Sequence, residues 1–139
     1  MPERVLADTS FMFAVFDRHD AKHDIAQATY RLIADQIALP AVILPELGYH
    51  LERASGTVKV AEVVRVMRQG SMSIIELQGE DYDRAADILD KYHDTRIDLV
   101  DACIMALAER LKITRVLTFD RRDFGLYRPA HVEQFELLP

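Results

Sequence analysis

Cysteine, tryptophan and long apolar runs are scarce or absent in this sequence, and each shortage excludes a class of protein. The single cysteine, Cys103, cannot form an internal disulfide, and the scattered histidines lack the Cys/His spacing of a structural zinc site. No apolar run approaches the roughly 20 residues that span a membrane. Residues 1–8 show no secretory pattern. We therefore expect a soluble protein of the reducing cytoplasm.

Basic residues are also fewer than acidic residues. The chain has 17 Lys and Arg against 23 Asp and Glu, and the net charge of −6 argues against an extended surface that coats nucleic acid. A small acidic site remains possible, because a bound metal ion reverses the local charge. Half of the 139 residues are hydrophobic, which is enough for one domain with its own core. Without repeats or linkers, residues 1–139 are predicted to form a single domain.

Short apolar strands alternate with helices along the chain. The strands are predicted at 4–7, 41–44, 73–77 and 115–119, with a weaker candidate edge strand at 132–137. The helices are predicted at 11–16, 25–37, 46–53, 57–67, 79–89 and 99–111, with Thr57 as an N-cap and 121–127 as a loop or short turn. This alternation predicts an α/β fold in three layers, with helices on both faces of a mainly parallel sheet.

The helix predicted at 99–111 is apolar on nearly every side, so it should be buried between other layers. Its first turn nevertheless carries Asp98 and Asp101, three residues apart and therefore on one face. Two carboxylates this close raise one another's pKa. A divalent cation would explain the pair. Helix capping by Asp98 and a favourable helix dipole at Asp101 would explain it equally well.

Three further acids follow predicted strands. Asp8 ends the first strand, Glu46 lies just after the second, and Asp120 follows the strand at 115–119. Strand ends and helix starts share one edge of a right-handed parallel sheet, so these acids should meet Asp98 and Asp101 there. Each acid alone has an ordinary capping or turn explanation. Their convergence on one edge favours a metal site.

Oxygen ligands without His or Cys select Mg²⁺ or Mn²⁺ over zinc. Carboxylate clusters that hold such ions cleave phosphodiesters by activating water. The hydroxyls of Ser10 and Thr118 lie beside Asp8 and Asp120 and are suited to orienting them, although local backbone hydrogen bonds explain both hydroxyls as well.

A local excess of four positive charges occurs between residues 110 and 128, against the overall balance. Within it, Arg121 and Arg122 directly follow Asp120 and are candidates for contacting RNA phosphates. A solvated surface cluster is the alternative.

Four motifs in register resemble the PIN-domain proteins, and most of all the VapC-type toxins of bacterial toxin–antitoxin pairs. They are an early hydrophobic-Asp-Thr-Ser (6–10), Pro-Glu-Leu (45–47), Asp-Leu-x-Asp-Ala-x-Ile-x-Ala-x-Ala (98–108) and Leu-Thr-x-Asp-x-x-Asp-Phe (117–124). Each motif alone is weak, but together they cover essentially the whole chain in the right order.

The resemblance implies a small α/β/α domain that acts as a Mg²⁺- or Mn²⁺-dependent endoribonuclease. It implies a homodimer and inhibition by a small VapB-type antitoxin, for which the apolar helix around 60–67 is suited, as it also is for core or dimer packing. The family's acidic quartet matches Asp8, Glu46, Asp101 and Asp120. Asp98 matches a position that is often acidic and near the metal, and the family's two hydroxyl positions match Ser10 and Thr118.

Two other functions remain open at this stage. One is a PIN nuclease of RNA processing that is not a toxin, and the other is a non-catalytic regulator that binds metal or RNA. A receiver domain is disfavoured, because Asp120 and Arg121 follow the late strand where a Lys is needed. A phosphatase with an aspartyl nucleophile is disfavoured, because Ser10 stands where a second Asp is expected.

Overall fold

Five parallel strands form the central sheet of the structure, a computed structural model that describes residues 3–139. The strands follow apolar stretches and are β1 (Val5–Ala7), β2 (Ile37–Pro40), β3 (Ser73–Ile75), β4 (Arg115–Leu117) and β5 (Glu136–Leu138). Their order across the sheet is β3-β2-β1-β4-β5, and all the pairings are parallel. β1, at the centre, is completely buried, as parallel strands covered on both faces should be.

The helices cover both faces of this sheet. They are α1 (Thr9–Phe16), α2 (His23–Ile33), α3 (Leu44–Ser55), α4 (Thr57–Gln69), α5 (Gly79–Lys91), α6 (Leu99–Leu111) and α7 (Arg121–Leu126). The chain moves from β1 to β3 in one direction and then returns to β4 and β5 in the other. Because parallel crossovers are right-handed, α1–α4 lie on one face and α5–α7 on the opposite face. The predicted three-layer α/β/α architecture is confirmed.

The second strand was misplaced by the sequence prediction. The structure puts β2 at 37–40, where the predicted helix had just ended at about residue 37, and α2 stops at Ile33. Residues 41–43 form a 3₁₀ turn that leads into α3 rather than a strand. Their apolar side chains contribute to the core, because Ile43 is completely buried and Val42 packs against the core residues. Glu46 still lies in the first turn of α3, as predicted.

Three smaller predictions also change. Gly56, not Thr57, occupies the N-cap of α4, with a φ of 86° that glycine adopts without strain. Residues 121–126 form a short helix instead of a loop, since the side chain of Asp120 caps its amino end. The weak edge strand predicted at 132–137 is shorter and displaced, and it pairs with β4 at 136–138.

The strand order reverses between β1 and β4, and this reversal positions the candidate site. The chain leaves β1 toward β2 on one side of it, whereas β4 lies on the other side of β1. This arrangement opens a crevice at the carboxyl ends of β1 and β4. We call this side of the sheet the carboxyl edge. In residues 3–139, no helix is long and apolar enough to cross a membrane.

Candidate active site

A cavity of about 180 Å³ lies in this crevice at the carboxyl edge. All five acids that the sequence analysis selected line it, as does Ser10: Asp8, Glu46, Asp98, Asp101 and Asp120. Asp123 and Arg96 line it as well, and neither was selected from the sequence. We refer to this space, with its acidic lining, as the acidic cavity. The predicted convergence of the acids on one edge is therefore observed, whereas their chemical roles stay predictions.

Asp8 lies at the bottom of the acidic cavity and is held by three donors. It is only 5% exposed. Its Oδ1 accepts hydrogen bonds from the Ser10 hydroxyl at 2.7 Å and the Phe11 N–H at 2.9 Å, and its Oδ2 accepts one from the Thr118 hydroxyl. Burial outweighs these hydrogen bonds and raises the pKa of Asp8 to about 6. Asp8 is thus both the N-cap of α1 and a carboxyl group held in place by three hydrogen bonds.

Ser10 and Thr118 link the end of β1 to the segment after β4. Beyond its bond to Asp8, the Ser10 hydroxyl accepts from the Phe119 N–H at 3.0 Å. The Thr118 hydroxyl accepts from the Asp120 N–H at 2.8 Å. The two hydroxyls therefore bond to the Asp8 carboxylate and to the local backbone at the same time. Their role in orienting metal ligands stays a prediction.

Asp98 and Asp101 form a reciprocal cap at the start of α6. The Asp101 N–H donates to Asp98 Oδ1 at 2.9 Å, and the Asp98 N–H donates to Asp101 Oδ2 at 3.4 Å. Capping therefore accounts for the presence of Asp98. It does not neutralise Asp101, whose pKa is raised first by burial and then by the charge of Asp98.

The tightest group of carboxylates consists of Asp101, Asp120 and Asp123. One oxygen from each lies within 4.8 Å of the others. Asp123 is 5% exposed, and its pKa is raised by burial and by the charge of Asp120. Like charges this close repel one another in the absence of a cation. The spacing Asp120-x-x-Asp123 repeats that of Asp98 and Asp101, and this signal in the sequence was sufficient to find Asp123.

Three arginines lie near these acids or follow them in the sequence. Arg96, on the loop before α6, lines the acidic cavity and lowers the pKa of Asp123. No motif in the sequence distinguished it. Arg121, one of the predicted RNA contacts, instead donates to the carbonyls of Leu137 and Pro139, and Arg122 is exposed beside Asp123.

The donor set fits a hard divalent cation. Its oxygens come from carboxylates and hydroxyls, and neither His nor Cys contributes to the lining of the acidic cavity. Such a set selects Mg²⁺ or Mn²⁺. Burial is the largest cause of the raised pKa values of Asp8, Asp101 and Asp123, and neighbouring carboxylates add to it. A divalent cation bound among these groups would lower their pKa values.

The raised pKa of Asp8 predicts that the metal-free protein loses stability as pH rises. Unfolded Asp8 ionises near 3.8 and the folded group at about 6, so its stabilising effect is complete below the first value and lost as pH passes the second. The total loss is about 3 kcal/mol, roughly half of it between about pH 5 and pH 8. Urea unfolding in EDTA should show the fall, and saturating Mg²⁺ or Mn²⁺ should reduce it. Rising stability across this interval without metal would contradict the assignment.

Known proteins resemble this chain over nearly its whole length. Ribonuclease VapC26 of Mycobacterium tuberculosis is 29% identical over 135 residues, covering 97% of this chain and all of the relative. The crystal structure of VapC20 of Mycobacterium tuberculosis, a sarcin–ricin loop cleaving toxin, superposes with a TM-score of 0.82 at 20% identity and covers 92% of this chain and 98% of its own. A DNA-bound VapBC structure from Salmonella typhimurium gives 0.73 at 16% identity, covering 98% of both chains.

The structural likenesses confirm the fold that the resemblance implied. The family assignment rests on sequence, because the model of the PIN domain matches residues 5–131. That span contains β1, β4 and every carboxylate of the acidic cavity. The chain belongs to the PIN domain family.

Proposed function

We propose that this protein is a Mg²⁺- or Mn²⁺-dependent endoribonuclease and the toxin of a type II VapBC toxin–antitoxin pair. The observation that carries the proposal is the convergence of six carboxylates on one cavity at the strand-order reversal, three of them within 4.8 Å. The similarity to a named ribonuclease over 97% of the chain supports the same activity.

The proposed roles follow the geometry of the acidic cavity. The residues proposed to hold the cation are those predicted from the sequence: Asp8, Glu46, Asp98, Asp101 and Asp120. The structure adds Asp123, which has an oxygen within 4.8 Å of oxygens of Asp101 and Asp120. When bound, Mg²⁺ or Mn²⁺ lowers the pKa of water and stabilises charge on the leaving oxygen of a phosphodiester. The chain's own contribution is to fix its ligands, since Ser10 and Thr118 hold Asp8 and the first turn of α6 holds Asp101. Arg121 and Arg122 remain predicted RNA contacts.

The proposed protein partners are a VapB-like antitoxin and a second copy of the chain. Two similar solved structures are DNA-bound VapBC complexes, one of them on a fragment of its promoter, which supports the first partner. The helix α4 has apolar side chains without cover: Val58, Val64 and Val66 are 75%, 52% and 47% exposed. We propose that α4 contributes to one of these contacts.

The proposed activity predicts cation-dependent cleavage of RNA. The purified protein should cut a structured RNA internally in Mg²⁺ or Mn²⁺, lose this activity completely in EDTA, and recover it when the ion is restored. Electrophoresis of end-labelled RNA measures internal cuts directly. RNA that is bound but left intact with either ion would instead identify a non-catalytic regulator.

A further inference from the structure

Arg96 is the one basic residue among those that line the acidic cavity in residues 3–139. Six carboxylates share that lining with it. An arginine among so many acids is expected to pair with one of them. Arg96 nevertheless takes part in none of the ion pairs in the part of the chain that the structure describes. Its charge is therefore not committed to a single carboxylate.

The loop that carries Arg96 is anchored on both sides of it. The Thr95 hydroxyl donates to the Tyr92 carbonyl at 2.7 Å and accepts from the Ile97 N–H at 3.2 Å. The side chain of Ile97 is buried, at 6% exposure, and Asp98 caps α6 directly after it. The backbone of Arg96 is thus fixed at the rim of the acidic cavity, although its side chain is exposed.

One set of carboxylates in this cavity is close enough together to hold an ion directly. It consists of Asp101, Asp120 and Asp123, and residues 3–139 contain no second group of three acids, histidines or cysteines that lie this close. Both oxygens of Asp8 already accept hydrogen bonds, and Oδ1 of Asp98 accepts the Asp101 N–H. A two-ion site places its ions about 3.5–4 Å apart, so the second ion needs further free ligands nearby.

Arg96 lies at the Asp123 end of this set. Burial raises the pKa of Asp123 most, and the charges of Arg96 and Arg122 lower it. Of these two arginines, only Arg96 lines the cavity. A guanidinium stays protonated in proteins and is tied to the chain, so its charge cannot leave the site. A second divalent ion placed beside it would be repelled.

We infer that Arg96 takes the place of a second cation and limits the acidic cavity to one divalent ion. That ion lies on the set of three carboxylates defined above. Mg²⁺ keeps several of its waters and takes few carboxylates directly, which agrees with one ion in a lining of six acids. The inference rests on the proposed metal-dependent function, and it adds the number of ions and a residue that positions them.

The test removes the charge in Arg96→Gln and counts bound Mn²⁺. Free Mn²⁺ is measured by its electron paramagnetic resonance signal while the metal-free protein is titrated, and frozen samples show whether bound ions are magnetically coupled. The wild type should bind one uncoupled Mn²⁺ per chain. Arg96→Gln should bind two that are coupled, because ions about 3.5–4 Å apart interact magnetically. Its Kd for the first ion should fall about threefold, since a partly screened repulsion is gone.

Two controls isolate the charge of Arg96 from its shape and from the net charge of the protein. Arg96→Lys keeps the positive charge and should bind one ion, as the wild type does. Arg4→Gln makes the same change as Arg96→Gln at an exposed arginine before β1, at the opposite edge of the sheet, and should leave the number of ions and the Kd unchanged. Circular dichroism checks that all variants are folded.

The possible results separate this inference from the proposed function. Two coupled ions in the wild type, or a single ion in Arg96→Gln, would overturn the inference and leave the metal-dependent nuclease in place. A second ion in Arg96→Gln without magnetic coupling lies outside the acidic cavity and would overturn it as well. A wild-type protein that binds no Mn²⁺ would remove the proposed metal dependence and this inference with it.

Discussion

Asp101→Asn should abolish cation-dependent RNA cleavage and leave the metal-free protein at least as stable as the wild type. Asn keeps the shape of the side chain and an oxygen that accepts the Asp98 N–H. It removes the charge that faces Asp98 and Asp120, two of the groups that raise the pKa of Asp101. The loss in kcat should be at least a hundredfold, by analogy with removal of one preorganised charged or polar group from an active site.

The expected gain in stability follows from the removal of this charge. Asp101 is partly exposed, so solvent screens the repulsion and the free energy of unfolding at neutral pH should rise by about 1 kcal/mol. The increase in Tm that Mg²⁺ or Mn²⁺ gives the wild type should shrink or disappear. Urea unfolding and thermal melts, each with and without the ion, measure both effects.

Asp87→Asn is the matched control for this experiment. It makes the same chemical change on an exposed face of α5, away from the acidic cavity, and should leave cleavage and ion binding unchanged. If Asp101→Asn cleaved RNA at the normal rate, Asp101 would not be part of the site. Loss of cleavage together with a large loss of stability would point to a structural role in capping α6.

The sequence predicts those site residues that lie at the ends of buried strands and helices with a clear local pattern. Asp8 follows a short apolar run, Asp120 follows one interrupted only by Thr118, and Asp101 lies in the first turn of a helix that is apolar on nearly every side. These elements are therefore identifiable without long-range information. Parallel sheets place such elements at one edge by geometry alone. The five acids therefore meet as predicted, even where strand boundaries are shifted.

The sequence prediction fails where a local pattern of residues fits two different structures. Residues 37–44 form one apolar stretch, and periodicity does not distinguish a buried strand at 37–40 from one at 41–44. Arg96 enters the acidic cavity from a loop, whose path depends on tertiary packing rather than on its own residues.

Glu109→Ala should destabilise the protein more than any surface substitution, by about 3 kcal/mol or about 10 °C in Tm. Glu109 is 8% exposed at the end of α6. Its carboxylate accepts from Arg84 Nε at 2.7 Å, the Tyr127 hydroxyl at 2.6 Å and the Ala130 N–H at 2.8 Å. Truncation leaves the buried Tyr127 hydroxyl without this acceptor and unlinks α6 from α5 and from the segment after α7.

The pH dependence separates this role from that of Asp8. Burial raises the pKa of Glu109, but hydrogen bonds from Arg84, Tyr127 and Ala130 outweigh it, and the pKa ends below its ordinary value. Its stabilising effect is therefore present above the ordinary pKa of Glu and is lost as pH falls through the lowered one, so the deficit of Glu109→Ala should shrink in acid.

Glu62→Ala is the control for this substitution. It makes the same change at an exposed position of α4 and should alter the free energy of unfolding by no more than about 0.5 kcal/mol. Because Glu109 and Asp101 lie at opposite ends of α6, the folded fraction of Glu109→Ala should still bind Mn²⁺ and cleave RNA. Wild-type stability in Glu109→Ala would show that the hydrogen-bonded cluster does not hold α6 in place, and lost cleavage at full folding would assign Glu109 to the site itself.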